Sequence, residues 1–155
     1  MDALDSRLDT PSTPVVRTAF GNQDAWDAVC AAIRTPSDPE GFLADVDFVD
    51  DPTLRGLGAE QLLALVPEEP EYPDVTLYEY CILVVADEAT LASPEMPLLI
   101  VDLREERGRR IRMIPSELWG IENNLSLANM EFSSFADSVD ADGVFRGIGR
   151  NRSGG

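Results

Sequence analysis

Five acidic side chains stand where apolar stretches end, and their type and spacing could do chemistry. Asp50 and Asp51 follow 42–49, Asp87 and Glu88 follow 80–86, and Asp102 lies near the end of 97–103. If these stretches are neighbouring parallel strands, their carboxyl ends form the edge where open α/β sheets bind ligands. A purely carboxylate set suits Mg²⁺ or Mn²⁺, which favour hard oxygen donors. An ion held by Asp50, Asp51, Asp87 and Asp102 would activate water for hydrolysis or phosphoryl transfer. Asp also caps helices and ends strands, so the same residues read as caps and solvated surface.

A basic cluster is the second candidate. Arg104, Arg107, Arg109, Arg110 and Arg112 crowd one short region. Arg110 and Arg112 share a strand face and make an anion-binding pair, because guanidinium forks match carboxylates and phosphates. Internal pairing with Glu105, Glu106 and nearby Asp is the simpler use of them.

The third candidate is the helical stretch 115–132. Leu118, Ile121, Leu125, Ala128 and Phe132 step by three and four, which puts them on one core-facing stripe. Pro115 fits the first turn, Ser116 an N-cap, and Glu117 and Glu122 the positive helix end. The other faces carry Asn123, Asn124, Ser126 and Asn129, which compete with helical backbone bonding, and Gly120, which weakens a helix. Trp119, Glu122, Asn123, Asn124 and Asn129 therefore form a candidate interaction surface. The alternative is that the amides bond neighbouring loops and cap a break near Asn129.

Charge narrows the chemistry. The 155-residue chain has 29 acidic and 12 basic residues, a formal charge of −17, and every base is Arg. Without His there is no imidazole proton shuttle or zinc ligand, and without Lys no Ser-Lys nucleophile. The acidity argues against nucleic acid and reads either as a solvated acidic surface, the simpler reading, or as attraction to a protein partner that could be basic. No P-loop, GxGxxG or GxSxG occurs, and no cofactor is implied. Asp140-Ala141-Asp142-Gly143 lacks the later ligands of a calcium loop and reads as a turn. Cys30 and Cys81 form no CxxC and read as small buried hydrophobes. No apolar run is long enough for a membrane span, and no leader opens the chain, so a cytoplasmic protein is expected.

The elements that must position these residues alternate. Residues 14–20 read as a strand, and 23–34 as a helix with Trp26, Val29, Cys30 and Ile33 on one face. The alternating 42–49 is a half-exposed strand, 59–66 a short helix, and 67–75 an exposed acidic, Pro-rich loop. The apolar 80–86 is a central strand covered on both faces, followed by a short helix capped by Asp87. Residues 97–103 and 109–114 pair as a hairpin through the turn 105–108. The helix 115–132, a short helix within 132–139 and a pinning segment at Val144-Phe145 complete the chain. The expected fold is a single α/β domain over 15–147, with a mainly parallel or mixed sheet of about five strands, a C-terminal hairpin and flanking helices. Residues 1–14 and 148–155 read as disordered tails.

Several of these segments together resemble a family of small actinobacterial proteins classed as a domain of unknown function. They are Val15-Val16-Arg17-Thr18-Ala19-Phe20 before a Trp-bearing helix, Phe48-Val49-Asp50-Asp51-Pro52 leading to Gly56-Leu57, and Val84-Val85-Ala86-Asp87. Leu99-Ile100-Val101-Asp102-Leu103, Glu122-Asn123-Asn124-Leu125 and Asp142-Gly143-Val144-Phe145-Arg146-Gly147 continue the pattern. The resemblance implies a host type and compartment, and no activity. Residue chemistry alone favours a non-enzymatic protein-interaction module, immunity- or inhibitor-like. The alternatives are a Mg- or Mn-dependent enzyme built on the strand-end carboxylates, and self-association through Trp119 or the exposed face of 42–49.

Overall fold

Apolar strands alternate with amphipathic helices because each helix has one face to bury and each central strand has two. The computed structural model describes residues 8, 12–36, 41–66, 81–103, 106–126 and 132–147, without the side chains of 123–126. The strands are β1 Thr13–Arg17, β2 Val46–Val49, β3 Ile82–Ala86, β4 Leu98–Asp102, β5 Arg110–Met113 and β6 Val144–Phe145. The helices are α1 Gln23–Ile33, α2 Ala59–Leu63, α3 Glu88–Ala92, α4 Leu118–Ser126 and α5 Phe132–Ala136.

One six-stranded sheet runs in the order β2-β1-β3-β4-β5-β6. β1 is parallel to β2 and β3, β4 is antiparallel to β3 and β5, and β6 is parallel to β5. The class is therefore α/β with a mixed sheet. The expected hairpin is β4-β5, in which Val101 faces Arg110 and Leu98 faces Met113. Its turn ends on Gly108 at φ +99°, a left-handed conformation that side chains resist. The sixth strand is the two-residue Val144–Phe145, held beside Arg112 and Met113.

β3 shows why the sheet must be covered twice. Ile82, Val84 and Ala86 face a core filled by Trp26, Val29, Cys30 and Ile33 of α1, Leu118 and Ile121 of α4, and Phe132 and Phe135 of α5. Leu83 and Val85 face a second, smaller core with Leu54, Ala59, Leu62 and Val66. Leu8, inside the stretch read as a tail, is buried in that second core. Residues 1–7, 9–11 and 148–155, and the acidic loop 67–75, lie outside the described residues.

Local signals set the helix starts. The Asn22 side chain accepts a hydrogen bond from the Ala25 N–H at 3.0 Å and caps α1. Pro115 opens a 3-10 turn over Pro115–Glu117, capped by Ile114 without a side-chain bond, so Ser116 lies inside the turn instead of capping it. Asp45 stands before β2, which is shorter than its alternating sequence predicts and lies at the sheet edge. Among the described residues, no helix is long and apolar enough to cross a membrane.

The two-sided core makes a contrast measurable by urea denaturation. Ile100→Ala, at a fully buried position of β4, should cost roughly 2–5 kcal/mol through lost transfer energy and a cavity. Leu43→Ser, at an exposed position, should stay within about 0.5 kcal/mol of the parent.

Candidate functional site

The strand directions decide which charged residues meet. β1, β2, β3, β5 and β6 point one way and β4 the other. One edge of the sheet therefore collects five carboxyl ends and the amino end of β4. Arg17 closes β1 there, Asp50 follows β2, Asp87 follows β3, and Arg146 follows β6.

Asp87 is the centre of this edge. Its Oδ1 accepts from the Thr90 N–H at 3.2 Å and the Thr90 hydroxyl at 3.0 Å. The Thr90 hydroxyl also lies 3.3 Å from the Asp87 N–H, which completes a capping box on α3. Arg112 reaches across from β5 and donates Nη1 to Oδ1 at 2.8 Å and Nη2 to Oδ2 at 2.9 Å. Nη1 also donates to the Pro97 carbonyl at 3.2 Å, and the Thr90 hydroxyl lies 2.8 Å from the same oxygen. Burial pushes the Asp87 carboxyl up, but the Arg112 hydrogen bonds and charge, with those of Thr90, hold it below the ordinary aspartate range.

The other carboxylates of the proposed metal set go elsewhere. Asp50 accepts from Arg17 Nη1 at 3.4 Å. Asp51 caps the 3-10 turn Pro52–Leu54, accepting from the Thr53 N–H at 3.0 Å. Asp102 pairs with Ile82, at the start of β3, and its Oδ2 accepts from the Glu106 N–H at 2.7 Å in the hairpin turn. A five-residue strand spans about 16 Å, so Asp102 is at the opposite sheet edge from Asp87. The four carboxylates do not converge. Among the described residues, no three Cys, Asp or Glu side chains are grouped to hold an ion.

The arginines of the hairpin are likewise divided. Arg110 and Arg112 share a strand face, but each has its own carboxylate. Arg110 donates Nη2 to Glu60 Oε2 at 2.7 Å, whereas Arg112 holds Asp87. Arg107 donates Nη2 to the carbonyls of Leu63 and Val66 at the end of α2, a C-terminal cap by a cation. Arg109 donates to Glu106 at 3.1 Å, and Arg104 lies outside the described residues.

A cleft at the carboxyl ends of β1 and β3 was not marked by any motif. It has a volume of about 430 Å³ and is lined by Thr18, Phe20, Arg55, Leu57, Asp87 and Glu88, among others. Arg17 is buried beneath it. Its Nε donates to the Ala19 carbonyl at 2.9 Å and its Nη1 to Gln23 Oε1 at 3.0 Å. The Arg17 guanidinium lies 4.4 Å from the Phe20 ring centre, and that of Arg55 lies 5.3 Å from the same centre. The available signal was a charged residue ending an apolar strand, followed by Phe20-Gly21, with Arg55-Gly56 in a later turn.

The predicted interaction surface is partly described. Trp119 is half-buried and packs on Phe42 with ring centres 5.0 Å apart. Glu122 Oε1 accepts from the Asp45 N–H at 3.0 Å, tying the 41–45 segment to α4. A groove of about 670 Å³ runs beside Trp119, with Ala32, Pro36, Met96, Ile114 and Pro115 in its lining. Met96 is held at φ +53°, a strained conformation for this residue. Asn123 and Asn124 sit within α4, and their side chains lie outside the described residues, as does Asn129.

The Asp140–Gly143 turn forms as expected and is filled by an arginine. Arg146 Nη1 donates to Asp140 at 2.7 Å, and Nη2 donates to Asp142 at 2.8 Å and to Glu95 at 2.7 Å. These hydrogen bonds raise the Arg146 value further, and Arg146 lowers that of Asp142.

The Asp87–Arg112 pair yields a pH prediction. Because the folded value of Asp87 is lowered, its stabilisation is in place above the ordinary aspartate value near about 4 and is lost as pH falls through the lowered one. Asp87→Asn keeps the cap acceptor and removes the charge. It should cost roughly 1–3 kcal/mol at neutral pH, and urea titrations should show the gap from the parent closing at acidic pH.

No curated protein matches the sequence. The model of one family, described as a domain of unknown function (DUF6924), matches residues 12–148, from just before β1 to just past β6. With its sheet and both cores inside that match, the chain belongs to the DUF6924 family.

Proposed function

We propose that this protein is a non-enzymatic interaction module, immunity- or inhibitor-like, that docks a basic protein partner over the Trp119–Phe42 patch. One observation carries the reading. Phe42 and Leu43 are 51% and 52% exposed, the large apolar side chains left exposed among the described residues. Phe42 packs on Trp119, which lines the groove, and Leu43 follows it in the chain. Aromatic anchors around a pocket are what protein partners use for most of their binding energy. The patch is rigid because Trp119 and Glu122 of α4 hold the 41–45 segment from two sides. The surrounding protein carries a formal charge of −17, which steers a basic partner and raises its association rate more than its affinity. The encounter belongs in the cytoplasm of an actinobacterial host of the kind the resemblance implies. The dispersed carboxylates lend no support to a metal-dependent enzyme.

Affinity capture from host extract tests this with a matched variant. The parent should retain a basic protein at low salt and release it at high salt. Leu43→Asp alone should weaken capture at the parental melting temperature, and Phe42→Asp with Leu43→Asp should lose that protein while remaining folded, with a small fall in melting temperature from the lost Trp119 contact. Retention of the same proteins by both forms, or no salt-sensitive partner, sinks the reading.

A further inference from the structure

The cleft above β1 and β3 lies at a change of direction in the sheet. The chain leaves β1 for β2 on one side, and leaves β3 for β4 on the other. Open α/β sheets place ligands at such a point, outside the carboxyl ends of the diverging strands. The loop after β2 crosses back to roof it. The Gly56 N–H donates to the Thr18 carbonyl at 2.8 Å, and Gly56 takes φ +75°, which swings Arg55 over the exit of β1.

The charges here run against the rest of the molecule. In a protein of formal charge −17, two guanidiniums flank one Phe20 ring. Arg55 is exposed and meets no carboxylate at ion-pair distance among the described residues. Arg17 is 3% exposed, and its one carboxylate contact among the described residues is the 3.4 Å approach to Asp50. Its Nη2 meets no acceptor among the described residues. Asp87, on the far wall, is neutralised by the fork from Arg112. Glu88 is the exposed carboxylate in the lining.

We propose that this cleft binds a small organic oxyanion, whose carboxylate or phosphate oxygens meet Arg55 and whose apolar body lies against Phe20 and Leu57. The half-buried Phe20 and Leu57 supply apolar wall, and the volume of about 430 Å³ falls in the usual range for small-ligand sites. Glu88 at the rim disfavours a second negative charge. The inference rests on residues separate from the Trp119 patch and stands or falls independently of the partner reading.

The probes are benzoate and phenyl phosphate, with benzyl alcohol as the neutral control, titrated into the full chain and followed by amide NMR shifts of Gly21, Gly56 and Leu57. Saturable shifts with either anion and none with the alcohol are expected, and the stronger anion identifies the oxyanion preferred. Arg55→Ala should weaken binding by about tenfold or more, the scale of one charge-assisted contact. Arg55→Lys should keep part of the affinity that Arg55→Ala loses, and Glu88→Gln should tighten binding by removing a like charge from the rim. The proposal is overturned if neither anion gives saturable shifts at these amides, if the alcohol binds as well, or if Arg55→Ala binds as the parent does.

Discussion

The ion pair between Asp87 and Arg112 is the constraint on which the architecture turns. Asp87 begins α3, Thr90 inside α3 reaches the Pro97 carbonyl just before β4, and Arg112 belongs to β5. One carboxylate thus joins the end of β3, the helix that follows, the entry to β4 and the strand beyond it. A bidentate guanidinium–carboxylate contact fixes direction as well as distance. Here it ties β5 to the segment that turns the chain from β3 back into β4. Both partners are mostly removed from water, with side chains 28% and 27% exposed, so the Coulomb attraction is less screened than at the surface. Their desolvation cost is offset by the extra bonds to Thr90 and Pro97.

The same economy extends to the remaining arginines. In a chain with 29 acids and 12 bases, most of the described guanidiniums take a carboxylate, and position decides which one. Arg110 takes Glu60, 50 residues away, and Arg146 takes Glu95, 51 residues away. Arg107 closes the end of α2 by carbonyl contacts. Arg107 and Arg110 thus tie the hairpin to α2, and Arg146 ties the end of β6 to the segment between α3 and β4. The planar fork can bridge two acceptors at once, which a lysine ammonium does less specifically. The absence of Lys is consistent with positive charge serving as internal fastening.

Much of this fold was legible in the chain because local chemistry and burial agreed. The i, i+3, i+4, i+7 spacing of Trp26, Val29, Cys30 and Ile33 predicted α1 within a residue, and all four are buried. Asp87 caps where its side chain predicted, and the hairpin turn falls at Gly108. What the sequence hid was direction and distance. Asp102 ends an apolar strand just as Asp87 follows one, but β4 runs backwards, so the two carboxylates face opposite edges. Ser116 has the chemistry of a cap, but Pro115 opened the turn one residue earlier. Arg17 and Phe20 meet locally, but Arg55 joins them from 35 residues on through a loop whose Gly56 bonds back to Thr18, a contact with no local signature. The asparagines singled out around α4 fall outside the described residues or have side chains outside them.

The two proposed surfaces would respond in opposite ways to the molecule's charge. Around the Trp119 patch, acidity would act at long range and in the same sense as the short contacts, drawing the proposed basic partner toward apolar anchors. At the cleft, the distant acids repel the ligand class that Arg55 favours, and only the guanidiniums next to Phe20 oppose them. Screening falls hardest on charges farther away than the Debye length of about 8 Å in physiological salt. Added salt therefore removes attraction from the first surface, while at the second it removes mainly repulsion and leaves the close contact in place. An acidic protein would hold an anion where close guanidiniums act at shorter range than the distant acids, and Arg17 and Arg55, both near the Phe20 ring, are placed for that.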